Sequence, residues 1–230
     1  MPGRLSQGPC FAGGVLVLAD DTGVVRAFEP RKGVGRWEGS IAAAPTQAPQ
    51  ATALGFVFGT ASGEVVSFAP QDGHQTSLLP PVAGRPTLAV AWDGGLLVLG
   101  GAAPGARRVG ADRAASPVGS ANPDVAIGAV AGPDGCAWVE RGGAVRMLAR
   151  GAGAAPVDVA GVGTTAHRPA LADGMVYAVG PDNVLRAASV KEPGKTAWAS
   201  PLPGPAAAGP VPWGGVIVVR TAAGLAAYER

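Results

Sequence analysis

Charge is scarce in this chain. Asp, Glu, Lys and Arg make up 15% of its 230 residues, and 18 basic against 16 acidic side chains leave a net charge of +2. So even a balance excludes a strongly charged nucleic-acid binder, which concentrates Lys and Arg on one face. Cysteine is scarcer still, with only Cys10 and Cys136. That is too few for a disulfide framework, and without a C-x-x-C there is no thiolate pair for a metal. No stretch approaches the roughly 18 consecutive apolar residues of a spanning helix. The opening residues, Met1 to Gly8, lack the apolar core of about 7 to 15 residues that a secretory signal needs. The expectation is a cytoplasmic protein, or a periplasmic one if a leader has been removed.

What is abundant is small or apolar. Gly numbers 37 and Pro 22, while hydrophobic residues reach 47%. Gly and Pro at about a quarter of a chain ordinarily mark low complexity. A disordered chain, however, has few hydrophobics and many charges, the reverse of this balance. Collagen is excluded because the glycines cluster instead of recurring at every third position.

The glycines also carry a period. Gly14 precedes the apolar run Val15 to Leu18, Gly55 precedes Phe56 to Phe58, and Gly95 precedes Leu96 to Leu99. Gly135, Gly174 and Gly215 precede Cys136 to Val139, Met175 to Ala178 and Val216 to Val219. Successive glycines lie 41, 40, 40, 39 and 41 residues apart, a regularity that signals a repeat architecture. In each unit a turn cluster follows the run, as in Asp20 to Gly23, Ala61 to Gly63 or Pro181 to Asn183, and such residues close hairpins. A second short strand comes next, then a turn near Gly33, Gly73 or Gly194, then a third strand with Trp37 or Trp198. An Ala/Pro-rich strand returns to the next glycine.

Four short strands per unit with no helical period describe a propeller blade. The expected fold is therefore all-β, a six-bladed β-propeller of four-stranded antiparallel blades spanning residues 1–230 as one domain. Consecutive apolar positions predict strands buried on both faces, since each blade packs between two others. The sixth unit stops at Tyr228 to Arg230, where its outer strand is due. Three endings are open: the N-terminal Gly3 to Leu5, which resembles Gly35 to Trp37, supplies that strand; the last blade has three strands; or the chain is a fragment of a longer ring.

The first unit, from Ala19 through Phe28 to Trp37, resembles the pyrroloquinoline-quinone-like (quinoprotein-like) propeller repeat, and Gly180 to Trp198 matches it nearly as well. The resemblance implies that the repeat tryptophan docks on the next blade, a role carried only to Trp37 and Trp198. Ser77, Val118 and Val157 stand near that position in other units, while Trp92, Trp138 and Trp213 fall in other strands. The enzymes of this family hold a quinone and calcium in an eight-bladed ring and often have adjacent cysteines. Six units and no vicinal cysteines favour its scaffold members, which work in bacterial assemblies such as outer-membrane assembly. The resemblance thus implies a non-catalytic protein-interaction scaffold with no cofactor, and the alternative is a ligand-binding or hydrolytic propeller using the central channel.

Residue by residue, the candidates for chemistry are few. Asp20, Asp21, Asp93, Asp134, Asp173 and Asp182 sit where Asp favours turns, and Asp20 with Asp21 is too small a set for the six or so oxygens of a calcium site. No nucleophile elbow is present, so no catalytic or metal residue is assigned. His74 reads as a solvated turn residue. His167 and Arg168, on the presumed inner strand of the fifth unit among small residues, are the candidate anion site of the channel. Arg26, Arg146 and Arg186 share a register after the hairpin turn, which suggests a repeated bond to the adjacent blade. Partner proteins are expected on one face, with Gly100 to Arg108 and Ser120 to Asp124 as candidate contact loops. Cys10 and Cys136, three units apart, are expected to be free thiols.

Overall fold

The computed structural model describes every residue except 1–2, 6–7, 82–86, 93, 101–105, 119–124, 141, 151–155, 160 and 193. Asp93 and most of the two candidate contact loops therefore lie outside the described residues. The chain divides into two compact units, Met1–Pro123 and Asp124–Arg230. Among the described residues all regular structure is β, in six antiparallel sheets, each strand pairing with the next in sequence.

The first unit holds three blades of four strands. They are β1(Cys10–Ala12), β2(Val15–Ala19), β3(Val24–Glu29) and β4(Val34–Ser40); β5(Gln50–Thr52), β6(Gly55–Gly59), β7(Val65–Phe68) and β8(Gln75–Leu79); and β9(Thr87–Trp92), β10(Gly95–Gly100), β11(Ala106–Val109) and β12(Ala115–Pro117). The second unit holds β13(Val125–Gly132), β14(Gly135–Glu140), β15(Val145–Ala149) and β16(Val157–Asp158), then β17(Ala170–Ala172), β18(Met175–Val179), β19(Val184–Ser189) and β20(Thr196–Pro201). Its last blade has only β21(Val211–Trp213), β22(Val216–Thr221) and β23(Gly224–Glu229).

The repeat glycine opens the second strand of every blade, but for two different reasons. Gly14 and Gly215 take φ of 76° and 87° with open space where a Cβ would stand, so only the left-handed corner requires glycine there. At Gly55, Gly95 and Gly135 the third strand's carbonyl blocks the position: a Cβ would lie 2.4 Å from Phe68 O, 2.4 Å from Val109 O and 2.3 Å from Leu148 O.

Side-chain alternation sets the packing within each unit. Val15, Val17, Val25 and Ala27 of the first blade meet Phe56, Phe58, Val66 and Phe68 of the second. The opposite face of the second blade, with Val57 and Val65, meets Ala89, Leu96 and Val98 of the third. In the second unit Ala137, Val139 and Met147 pack on Val176, Ala178 and Ala188, and Tyr177, Val179 and Leu185 pack on Ile217 and Val219. Each fully buried Val, Leu or Phe contributes about 1.5–3 kcal/mol of transfer free energy.

Burial on both faces holds in β6, β10 and β14, which are buried throughout apart from Glu140 at the end of β14. It fails in the first and last blades. Alternate residues of β2 are only half-buried, and alternate residues of β22 are half-buried or exposed. The inner-strand segment ahead of β1 is engaged by its own blade: Leu5 bridges Asp20 as Pro45 bridges Thr60 and Ala206 bridges Thr221. Arg4 exchanges two further bonds with Asp21.

Candidate functional site

Asp20, at the corner between β2 and β3, is buried to 2% exposure. Its Oδ1 accepts from Thr22 N and Val24 N at 3.0 Å and from Thr22 Oγ1 at 2.6 Å, and Arg26 Nη1 stands 3.4 Å from Oδ2. These bonds, the Thr22 hydroxyl foremost, hold its carboxyl below the usual carboxylate range. Thr60 does the same work in the second blade, its Oγ1 accepting from Glu64 N at 2.9 Å. The bonds at Oδ1 make Asp20 the anchor of its turn.

A lowered folded pKa means that the anchored carboxylate stabilises the fold above its unfolded value of 3.8 and stops doing so as pH falls through the folded value. Asp20→Ala is accordingly expected to lose about 2 kcal/mol at neutral pH, since it strips partners from buried donors. Urea unfolding at pH 7 and at pH 3 checks this. The gap between wild type and variant should narrow at the lower pH, and an unchanged gap would remove the anchoring role.

The recurring arginines bond carboxylates of their own blade, correcting the expectation of bonds to the adjacent one. Arg26 spans Asp20 and Glu38, at 3.4 and 2.8 Å, and Arg146 spans Glu140 and Asp158, at 3.4 and 2.9 Å. Arg186 grips Asp182 through two bonds of 2.8 and 2.5 Å, which hold that carboxyl down at about 2. The shared register exists because residues on one sheet face at a hairpin mouth meet across strands. Asp21 accepts from Arg4 N, and Asp173 pairs with Arg230 at 2.8 Å. Asp134 lends a backbone carbonyl to Arg150 N. No cluster of three His, Cys, Asp or Glu side chains able to hold a metal occurs among the described residues.

The structure places His167 and Arg168 in different settings. His167, half-buried, lines a cavity of about 460 Å³ in the second unit together with Gly143, Thr164, Thr165 and Asn183. Its backbone N–H donates to Thr165 Oγ1 at 3.1 Å. Arg168 does not line that cavity; its guanidinium donates to Ala129 O on β13 at 2.8 Å. Its side chain lies over Gly128, where a Cβ would come within 2.7 Å, and its carbonyl would stand 2.2 Å from a Cβ at Gly209. Small residues on these inner strands are thus required by the neighbouring blade's backbone and by Arg168 itself. His74 is an exposed turn residue.

The two repeat tryptophans reach the following blade. Trp37 stacks on Phe68 with ring centres 5.6 Å apart and planes 11° apart, and its Nε1–H donates to Pro70 O at 3.0 Å. Gly73 lies beneath the indole, where a Cβ would be 2.6 Å from the ring. Trp198 meets Tyr228 of the last blade edge-on at 5.6 Å, and Tyr228 Oη donates to Pro201 O. Sequence reasoning identified the tryptophans but missed their receptor, Phe68, Pro70 and Gly73. The signal was there, since F-x-P-x-x-G occurs at both 28–33 and 68–73.

Both thiols are free. Burial pushes the Cys136 thiol up to about 12 and raises that of half-buried Cys10 as well. A thiol reagent at pH 8 is expected to modify Cys10 slowly and Cys136 only on unfolding, read as one adduct by native mass and two in urea. Equal modification rates would contradict the burial of Cys136.

The chain matches known proteins in two ways. Residues 1–84 match the family model described as outer membrane protein assembly factor BamB. No curated protein sequence matches the chain. Among solved structures, BamB from Moraxella catarrhalis is 15% identical with a TM-score of 0.67, over 99% of this chain and 74% of its own. The computationally designed Ika8 protein is 13% identical with a TM-score of 0.73, over 98% of this chain and 71% of its own. The dihydro-heme d1 dehydrogenase NirN, in complex with DHE, is 13% identical with a TM-score of 0.73, over 99% of this chain and 54% of its own. At such identities the likeness is one of fold, and that fold hosts both an assembly factor and a dehydrogenase. Six blade sheets and docked repeat tryptophans give the chain the fold of these propellers, and its residues 1–84 match the BamB family model.

Proposed function

We infer that this chain is a non-catalytic protein-interaction scaffold, the propeller subunit of a bacterial multiprotein assembly. One observation carries the reading: among the described residues, no other sheet of the first unit packs on the apolar face of the first blade that bears Phe11 and Leu5. Phe11 is 63% exposed and Leu5 65%, and Leu16, Leu18 and Phe28 are only half-buried beside them. Contiguous apolar surface of this kind marks an interaction site. Among the described carboxylates, Asp20 is engaged in its turn and Asp182 is paired with Arg186. The match of residues 1–84 to the BamB model supports an assembly role, since that protein is described as an assembly factor.

A second reading has its own observation, the cavity of about 460 Å³ beside His167. It is of ligand size, and its chemistry is that of hydroxyls, an amide and an imidazole. An anion or small polar ligand is what it would take.

The two readings part in one experiment. Tagged chain is cross-linked in its native cells, recovered and read by mass spectrometry, beside a Phe11→Asp variant. A dominant partner cross-linked near the first blade and lost in the variant establishes the scaffold. Recovery of the chain alone, with a small molecule released on denaturation, overturns it in favour of the ligand site.

A further inference from the structure

The cavity beside His167 is built from two hairpin corners and the approach to an inner strand, all within the second unit. Gly142 comes from the corner between β14 and β15, Pro181 and Asn183 from that between β18 and β19, and Thr164, Thr165 and His167 from the approach to β17. The repeat shows what is unusual here. Gln47 and His167 occupy the same place, each two residues ahead of the proline that precedes its inner strand. Gln47 spends its side-chain N–H on Ala89 O, which lies on the inner strand of the following blade. In the fifth blade that bond between blades is made instead by Arg168, to Ala129 O. The imidazole is released, and nothing among the described residues bonds its ring. Three further polar groups lining the cavity are unspent. Asn183 Oδ1 accepts from Ala206 N at 3.4 Å, which leaves the two N–H groups of its amide without a partner among the described residues. Thr165 Oγ1 accepts from His167 N at 3.1 Å and keeps its own hydrogen to donate. Thr164 is exposed, and its hydroxyl has no partner among the described residues.

We propose that this cavity binds a neutral polyhydroxyl ligand of the mono- or disaccharide class. An imidazole and a threonine hydroxyl each both donate and accept, as does every hydroxyl of such a ligand, so the pairs form whichever way the hydrogens point. No lining residue among those described carries a charge. An anion would ask for a basic side chain, and the one at hand, Arg168, is spent on Ala129 O. A cation would ask for carboxylates, and Asp182, between Pro181 and Asn183, is held by Arg186. Pro181 offers an apolar surface to the C–H face of a sugar ring, and a volume of about 460 Å³ lies in the range of small-molecule sites. The proposal rests on the second of the two functional readings and commits it to one ligand class.

The test uses the full chain, isotope-labelled at histidine Cε1. Its NMR spectrum then holds one ring signal for each of the 2 histidines, and exposed His74 is the internal reference. Glucose, maltose, sodium acetate and sodium phosphate are titrated in turn at constant pH and ionic strength. Glucose or maltose is expected to shift the His167 signal saturably, at the millimolar concentrations suited to a small ligand held by a few hydrogen bonds, and to leave His74 in place. Gly142→Phe should abolish that shift, since Gly142 lines the cavity and a Cβ there meets nothing within 4 Å. Asn183→Asp keeps the acceptor for Ala206 N and tolerates the left-handed corner, where φ is 57°. It loses both N–H donors, and should weaken binding by about fivefold. Thr164→Val, at an exposed position, serves if Gly142→Phe fails to fold, and should weaken binding by about threefold. The proposal is overturned if acetate or phosphate moves His167 at lower concentration than either sugar, which leaves the cavity a ligand site of the other class. If none of the four moves His167, the reading of the cavity as a ligand site falls with it. A sugar shift that survives Gly142→Phe, or that His74 shares, also overturns the proposal, because the sugar then binds elsewhere.

Discussion

Replacing Gly55 with alanine is expected to destabilise the first unit by about 3–5 kcal/mol, as left-handed strain and overpacking add. The residue holds φ of 103°, and its missing Cβ would stand 2.4 Å from Phe68 O. That oxygen belongs to a strand end, so the clash cannot be relieved by rotating a side chain. The same substitution at Gly215, at the same point of its repeat, meets open space and is expected to cost only about 1–2 kcal/mol, the left-handed term alone. Urea midpoints of the two variants test the distinction. Equal losses would mean that the repeat glycine has one role throughout, against the two found here.

The second large effect concerns the indole that joins the first two blades. Trp37→Ala is expected to lower stability by about 3 kcal/mol, the lower end for a large aromatic because the side chain is only half-buried. Phe68→Ala, fully buried, should lose about 3–5 kcal/mol. The double variant should fall short of the sum by about 1 kcal/mol, the coupling expected of a stacked pair. Trp37→Phe keeps a ring over Phe68 but strips the donor from Pro70 O, and should cost about 1 kcal/mol. Strict additivity in this cycle would show that the 5.6 Å stacking observed between the rings contributes nothing beyond burial.

The blades were legible because their signals are local. A glycine followed by an aliphatic run, a polar corner and a second run fix strand, turn and strand without reference to the rest of the chain, and the hairpins at Asp20 to Gly23, Ala61 to Gly63 and Pro181 to Asn183 lie where those residues put them. The docking of Trp37 and Trp198 followed from a resemblance of the repeat, and the structure supplies its reason in Phe68, Pro70, Gly73 and Tyr228. What a single strand cannot announce is its neighbour. The register shared by Arg26 and Arg146 suggests a bond to another blade, yet their carboxylates lie across the hairpin, and only the strand register brings Glu38 and Asp158 within reach. His167 and Arg168 are adjacent in sequence, but on an inner strand adjacent side chains point oppositely, so one faces a cavity and the other a neighbouring carbonyl. The half-burial of alternate residues in β2 was not legible either, because β2 is as apolar as β6.

The alternation by which the second and fifth blades each give one face to the sheet before and the other to the sheet after constrains how such a gene can change. Adding one residue inside a strand such as β6 would turn Phe56 and Phe58 away from Val17 and present them to the third blade, exchanging two cores at once. An added residue in a corner is absorbed without turning any side chain over. The spacing of the repeat glycines, which drifts between 39 and 41 residues, can therefore drift most readily through the corners. Length variation among descendants of this gene should collect at the hairpin corners and leave the strands uniform, so that aligned relatives show gaps spaced one blade apart.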